Sequence, residues 1–590
     1  MKKFFLNLLS SFLGAWLAFL LFAGVTVLVV FAIIGTFAVS GSSTPSLKSK
    51  SVMAIDLSGV ITETESDPEL SYAQFVMGGI SQPQTLKTLT SALREAADND
   101  KIKALYLKCG EVSTSPATLH ALYEAVAAFK ESKKPIYAYG DEMSQGAYYI
   151  ASLADSIFLN PQGNISITGV GGSSLYYKNL CDKIGIEFQI AKVGAFKSAV
   201  EPYLLNEMSE PARAQLDTLY GNIWSVLKSD MAQARNMPDS TFDALADNCS
   251  LFFNSKSILK SGIISGLCYE REMDPKFAKL LDVDKDDLNY VDPAYVASLA
   301  DSASKSDDHI AVLYATGEIS ESSEAGINCF DLVPVILDLA EDDNVKGLVL
   351  RVNSPGGSVF GAEQIADALK EFKKTGKPFV VSMGDYAASG GYWISADADQ
   401  IYADPITITG SIGIFGVVPN MSKLLSNIGV SVQSVSTNNN GNVAVPLAPL
   451  TEKQMATLNA SIIDGYDQFI NRVAKGRNMP ETKVRLIAEG RVWDGTKAKE
   501  LGLVDQLGSL RDAVKYVASK TKLSSDDVCY YPEYTPSLLG MLSAFGSEAL
   551  DQQLIKAAGD EIAPQYLKRI KTIITRKPAQ AIMPEIIISL

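Results

Sequence analysis

The chain has 590 residues and a formal net charge of −15, and at ~100–200 residues per domain it should hold more than one domain. With 47% apolar and 20% charged residues it can bury large cores. The acidic balance excludes a nucleic-acid partner, because phosphate binding needs a basic footprint. Six cysteines (Cys109, Cys181, Cys249, Cys268, Cys329, Cys529) are scattered, with no zinc-site or CxxC spacing. Buried free thiols are the expectation, and neither a metal nor a cofactor is implied.

In chain order, residues 1–47 read first as a membrane anchor. No charged residue lies between Lys3 and Lys48, and residues 12–39 are almost wholly apolar. A bilayer core of ~30 Å needs roughly 20 apolar residues in a helix, whereas a secretory h-region has about 7–15. The run therefore predicts an uncleaved single-pass helix, although Ala38 and Ser40 would also suit a processing site. Lys2 and Lys3 suggest a cytoplasmic N-terminus, against which Lys48 and Lys50 on the far side count. The remainder is then expected on the opposite face.

Beyond the anchor the sequence repeats itself. KIKALYLK (101–108) matches NVKGLVLR (344–351), and AAFKESKKPIYAYG (127–140) matches KEFKKTGKPFVVSMG (370–384). From Pro135 and Pro378 the offset is 243, and after one insertion it is 244, pairing Gly140 with Gly384, Tyr148 with Tyr392 and Pro202 with Pro446. A tandem duplication of one domain explains this. Within each copy, short β-branched runs (104–107, 347–352, 379–382) predict buried strands. Helical patterns (117–130, 361–374) fall between them. The alternation predicts an α/β fold with crossover connections. The expected division is 1–47 anchor, 48–300 first copy, 301–537 second copy and 538–590 a tail with no counterpart. The acidic, Ser-rich stretch 301–308 would link the copies. The basic amphipathic stretch 566–577 could touch lipid headgroups or pack as an ordinary helix.

The chemistry-bearing motifs lie in the second copy. NSPGGS (353–358) follows a predicted strand, and its paired glycines can expose backbone N–H groups as an oxyanion hole. An ordinary turn can have the same sequence. The first copy reads CGEVSTS (109–115) instead. In YAASGGYW (386–393), Ser389 stands at the start of a helical run, where its Oγ would be exposed and the Gly390 N–H available. Position 389 corresponds to Gln145 in the first copy, with Ser144 one residue earlier. The two histidines, His120 and His309, fall outside these motifs, so a Ser–His–Asp triad is not expected. A desolvated lysine is the alternative base. Lys197, in VGAFKSAVEPY (193–203), lies between small and apolar residues, and its partner at the offset is Gly441. One copy thus keeps a lysine and the other a serine, the pattern of a composite site. Ser411, in TGSIGIFG (409–416), aligns with Ile167 and would either orient the lysine or stabilise a turn.

Taken together, NSPGGS (353–358), MGDYAASGGYWIS (383–395), ITGSIGIFG (408–416) and VGAFKSAVEPY (193–203) resemble the signal peptide peptidase A (protease IV) family in its long double-domain form, within the ClpP/crotonase superfamily. The resemblance covers roughly 45–530. It implies Ser389 as nucleophile, Lys197 as general base, Ser411 as the lysine's partner, and the N–H groups of Gly356 and Gly390 as the oxyanion hole. It further implies a homotetramer anchored in the cytoplasmic membrane with its catalytic part on the outer, periplasmic side. Its substrates would be released signal peptides and other apolar peptides. Two other readings remain open here: a crotonase-like acyl-CoA enzyme, which predicts an active-site glutamate, and a non-catalytic membrane scaffold, in which Ser389, Lys197 and Ser411 need not meet.

Overall fold

The computed structural model describes residues 47–64, 84–301, 306–322, 326–443, 445–532 and 579–583. The apolar segment 12–39, the basic stretch 566–577 and residues 302–305 of the expected linker lie outside them. Among the described residues no helix is long and apolar enough to cross a membrane.

In the first copy β1 (Ser51–Thr62), β2 (Ile102–Ser113), β3 (Ile136–Met143) and β4 (Ser156–Ile165) lie side by side in that order, all parallel. They are crossed by helices that include α1 (Pro116–Lys130) and α2 (Gln145–Ala151). Beyond this sheet come β5 (Glu187–Lys192) and the long helix α3 (Glu210–Arg235). The second copy repeats the parallel order with β6 (His309–Thr316), β7 (Val345–Ser354), β9 (Phe379–Ala388) and β10 (Ile408–Gly410). Between β7 and β9 lie the short β8 (Gly356–Ser358) and α4 (Val359–Lys374). After β9 come α5 (Gly390–Ser395), β11 (Phe415–Asn420) and α6 (Glu452–Gly476), the counterpart of α3. Matching strand order in both halves is the structural form of the sequence repeat.

Burial on both faces explains why these strands read as unbroken apolar runs. Leu348, Leu350 and Val352 of β7 pack in one core with Ile365, Leu369 and Phe372 of α4, whereas Val349 points into a second core with Val514 and Val517. Helix α4 starts where Ser358 Oγ accepts from the Gly361 N–H at 3.1 Å, a side-chain cap. Cys109, Cys181, Cys268 and Cys329 are buried free thiols.

A separate sheet joins the copies. Strand β5 of the first copy pairs antiparallel with β11 of the second, from Phe415 opposite Lys192 to Asn420 opposite Glu187. A strand from the tail, β12 (Ala579–Ile582), lies between β11 and β8, antiparallel to both. The copies also share buried polar groups. Arg351 Nε donates to Glu63 Oε1 at 2.6 Å, and Asn353 Nδ2 donates to Glu63 Oε2 and to Asp385 Oδ2 at 3.1 and 3.0 Å. Asp385 accepts in turn from the N–H and hydroxyl of Thr118, both at 2.8 Å. Burial, with Glu63 nearby, pushes the Asp385 carboxyl up to about 6. His120, also buried, bridges the copies through Asp404 at 2.6 Å.

Candidate active site

Two strand ends and one loop converge at the site. Strand β9 ends in Ala387–Ala388, small residues that let the chain turn at once into α5, with Ser389 at the junction. Ser389 has φ 56° and ψ −114°, a backbone state that costs a non-glycine residue roughly 1–3 kcal/mol and marks functional junctions. Surrounding bonds hold it there: the Ser389 N–H donates to Gly410 O and its carbonyl accepts from the Trp393 N–H, each at 2.8 Å.

Lys197 reaches this point because the β5–β11 ladder carries the first copy's chain across the second. Five residues after β5 the lysine is wholly buried. Its stem passes between two glycines: a Cβ on Gly490 would lie 2.6 Å from Lys197 Cβ, and one on Gly413 would lie 3.4 Å from Lys197 Cδ. The loop bearing Gly490 grips the lysine's segment, since Glu489 O accepts from the Phe196 N–H at 3.1 Å. From α3, Gln215 Nε2 donates to Ser198 Oγ at 3.3 Å.

Lys197 Nζ has three oxygens within reach: Ser389 Oγ at 2.8 Å, Ser411 Oγ at 3.0 Å and Ser411 O at 3.1 Å. A neutral amine has two N–H groups and one lone pair. In that form, donation of both N–H groups to the two Ser411 oxygens would leave the lone pair for the Ser389 hydroxyl. Burial holds the lysine well below its ordinary range, because the charged form is desolvated. Ser411, with φ 50°, is fixed by its N–H donating to Arg491 O at 2.7 Å.

Ser389, Lys197 and Ser411 are thus brought together within one chain. Gly390 also joins them, its nitrogen 2.7 Å from where a Cβ on Gly356 would stand. Gly356 contributes differently from the expectation. Its N–H donates to Ser354 Oγ at 3.2 Å and does not open into the site. The Met583 N–H donates to Pro355 O at 2.8 Å, which sets the phase of the β8–β12 ladder. Gly357 and Ala581, opposite one another, are then the hydrogen-bonded pair. The Gly357 N–H therefore points toward β12, while Gly356, at φ +100°, makes the turn.

The equivalent place in the first copy is filled. Gln145 Oε1 accepts from the N–H groups of Thr168 and Gly169 at 2.9 and 2.8 Å, and its Nε2 donates to Gly169 O at 3.0 Å. Ser144 caps α2, and CGEVSTS runs on as strand β2 through Ser113 where the second copy turns. Gly441, the repeat partner of Lys197, is on an exposed turn. His309 bonds to Asp307 O and Tyr531 Oη, and His120 is held between Asp404 and Asp230.

Glu63, Thr118, Arg351, Asn353 and Asp385 brace the ends of β7 and β9 on either side of the site, and the motif reading did not find them. The available signal was Arg351 itself, a charge inside an otherwise apolar strand run. Nothing in the sequence marked Gly490.

Residues 128–284 and 371–524 match the profile of Peptidase family S49, and 302–403 match that of the Clp protease family. The chain is 34% identical to "Protease 4" of Haemophilus influenzae over 578 residues, 93% of each protein. It is 33% identical to "Protease 4" of Salmonella typhi over 545 residues, covering 87% of this chain and 88% of that one. With "Serine protease SPPA, chloroplastic" of Arabidopsis thaliana it shares 26% identity over 507 residues, 82% of this chain and 73% of the other. With both halves of the duplication matched and relatives aligned along most of its length, the chain belongs to Peptidase family S49 and is a serine protease.

Proposed function

We propose that this serine protease works through a Ser389–Lys197 dyad. The observation that carries the reading is the wholly buried Lys197 Nζ at 2.8 Å from Ser389 Oγ. Neutral Lys197 takes the hydroxyl proton as Oγ attacks the scissile carbonyl, then passes it to the leaving amine. The developing oxyanion is held by the N–H groups of Gly357 and Gly390. Water, activated by the same amine, then cleaves the acyl-enzyme. Ser411 keeps the amine aimed.

The same proposal includes the setting. The apolar run 12–39 anchors the protein in the cytoplasmic membrane, with the catalytic part outside, where released signal peptides and similar apolar peptides would reach it. The homotetramer rests on the family likeness. The convergence of Ser389, Lys197 and Ser411 leaves the scaffold reading without a reason for that geometry. Among the described residues Lys197 Nζ is bonded to serine oxygens alone, an arrangement for which a crotonase-like glutamate mechanism gives no reason.

The test is hydrolysis of a fluorogenic apolar peptide. Ser389→Ala should abolish turnover. Ser411→Ala should lower kcat by roughly 10-fold, the loss of one orienting hydrogen bond at about 1.4 kcal/mol, since the Ser411 carbonyl remains. An active Ser389→Ala enzyme would refute the assignment.

A further inference from the structure

We propose that Arg491 is a positioning residue for the dyad: its side chain holds the first copy's lysine segment against the second copy, so that Lys197 stays dry and aimed. This rests on the Ser389–Lys197 reading above and extends it to what keeps the two contributions together.

Lys197 and Ser389 come from different copies, so their separation is set by whatever ties residues 196–198 to the second copy. One loop, residues 488–491, does much of this. It leads into the short strand Val492–Asp494, which pairs antiparallel with β10. Its backbone bonds to both sides: Glu489 O accepts from the Phe196 N–H at 3.1 Å, and Arg491 O accepts from the Ser411 N–H at 2.7 Å. Gln215 of α3 closes the far edge. Its Oε1 accepts from the Val492 N–H at 3.2 Å while its Nε2 donates to Ser198 Oγ at 3.3 Å.

The Arg491 side chain makes the remaining link. Its guanidinium carbon lies 4.9 Å from the centre of the Phe196 ring and 4.3 Å from that of Trp493. Phe196 directly precedes Lys197. Trp493 stands opposite Thr409, on the strand that leads into Ser411, and its indole N–H donates to Ile487 O at 3.0 Å. A flat, weakly hydrated guanidinium suits such a stack better than an ammonium does. Among the described residues no carboxylate pairs with Arg491, so a salt bridge does not account for its place.

The repeat ties this arginine to the lysine. Helices Gly495–Leu501 and Ser255–Ser261 correspond, with Asp494 and Asn254 capping their starts and left-handed Gly502 and Gly262 their ends. At that offset of 240, Arg491 corresponds to Leu251 and Gly490 to Ser250. In the first copy, where Gln145 replaces the nucleophile, Leu251 is 44% exposed. There Ser250 Oγ accepts from the N–H of Ile167, the counterpart of Ser411, at 2.8 Å.

Without the stack, the Phe196 side of the lysine segment is free to lift and water reaches the amine. A hydrated lysine returns toward its ordinary range, since burial is what depresses it. The charged groups on the elements that meet there stay in place. Glu201 and Asp385 are taken up by Ser209 and Thr118. Glu489 on the loop, and Arg213 and Asp217 on α3, are exposed.

The experiment is the pH dependence of kcat and KM for the fluorogenic peptide, using the full chain as wild type, Arg491→Ala, Phe196→Ala and the double variant. Arg491→Ala should move the acid limb up by about one pH unit, so that the rate on the limb falls about 10-fold and is regained at alkaline pH. KM should change less than about 2-fold, and Phe196→Ala should behave alike. The double variant should fall within about 2-fold of either single, because each removes the same stack. A loss equal at every pH, an unmoved limb, or losses that multiply in the double variant would overturn the proposal and leave the dyad standing. Should a melt show Arg491→Ala unfolded, Arg491→Lys, which keeps the charge but not the flat stack, takes its place. A limb moved the same way supports the proposal, and an unmoved one overturns it. A wild type with no acid limb fails the dyad reading itself, and this proposal with it.

Discussion

Lys197→Met should lower kcat for peptide hydrolysis by about 10³-fold or more, the scale of removing a base that acts as a unit with its nucleophile. The same substitution should make the protein more stable at neutral pH. Methionine matches the lysine stem in length, so the passage between Gly413 and Gly490 stays filled. Only the amine is lost, and with it its bonds to Ser389 Oγ, Ser411 Oγ and Ser411 O. The stability gain comes from the sign of the lysine's shift. Burial holds the folded Lys197 below its ordinary range, while the unfolded lysine titrates near ~10.4. Between those two values the unfolded chain binds the extra proton, so wild-type stability rises with pH across that window. Below the folded value the penalty is present in full. Lys197→Met removes it, and the advantage should shrink as pH approaches ~10. Thermal melts of the two proteins at neutral and high pH read this directly. Equal melting temperatures at neutral pH would mean that the buried amine carries no penalty.

Gly356→Ala should lower kcat/KM by about 10²–10³-fold, comparable to losing an oxyanion donor. A Cβ there would lie 2.1 Å from Ala581 O of β12, 2.7 Å from Gly390 N and 3.0 Å from Ala388 O, crowding the proposed oxyanion donor Gly390. The backbone at φ +100° adds strain for any L side chain. The clashing atoms are backbone of β12 and of the buried β9–α5 junction, so a loss of stability should accompany the loss of turnover. Circular dichroism and a melt alongside the kinetics separate the two. Full activity in Gly356→Ala would move the oxyanion site elsewhere.

Much of the fold was legible in the sequence because it is local or repeated. The strands of both copies are short β-branched runs buried on two faces, and helices α1 and α4 show apolar spacing that needs no tertiary knowledge. Ser389 and Lys197 were found by comparing the copies, since Gln145 and Gly441 lack what their partners keep. What stayed hidden depends on contacts between distant segments. The Glu63–Arg351 pair joins residues 288 positions apart. The choice between the Gly356 and Gly357 N–H groups rests on the phase of a ladder with the tail, which spacing cannot supply. Strand β12 is four residues with no repeat partner, and its partners β8 and β11 lie far upstream. A short AQAI run (579–582) gives no periodic signal, so the sequence drew attention to the basic stretch 566–577 instead.

The central claim, a neutral lysine as the base for Ser389, is tested most directly by the pH dependence of kcat/KM for the fluorogenic peptide. Asp385, a buried carboxyl held at about 6 beside Asn353 of β7, would give an acid limb of its own if the site depended on it, so the profile should be recorded for Asp385→Asn as well. A lysine base predicts a rate that falls tenfold per pH unit on the acid side, through one ionisation below ~10.4, and keeps that limb in Asp385→Asn. A rate that stays flat into acid pH, or an acid limb that vanishes with Asp385, would contradict Lys197 as the base.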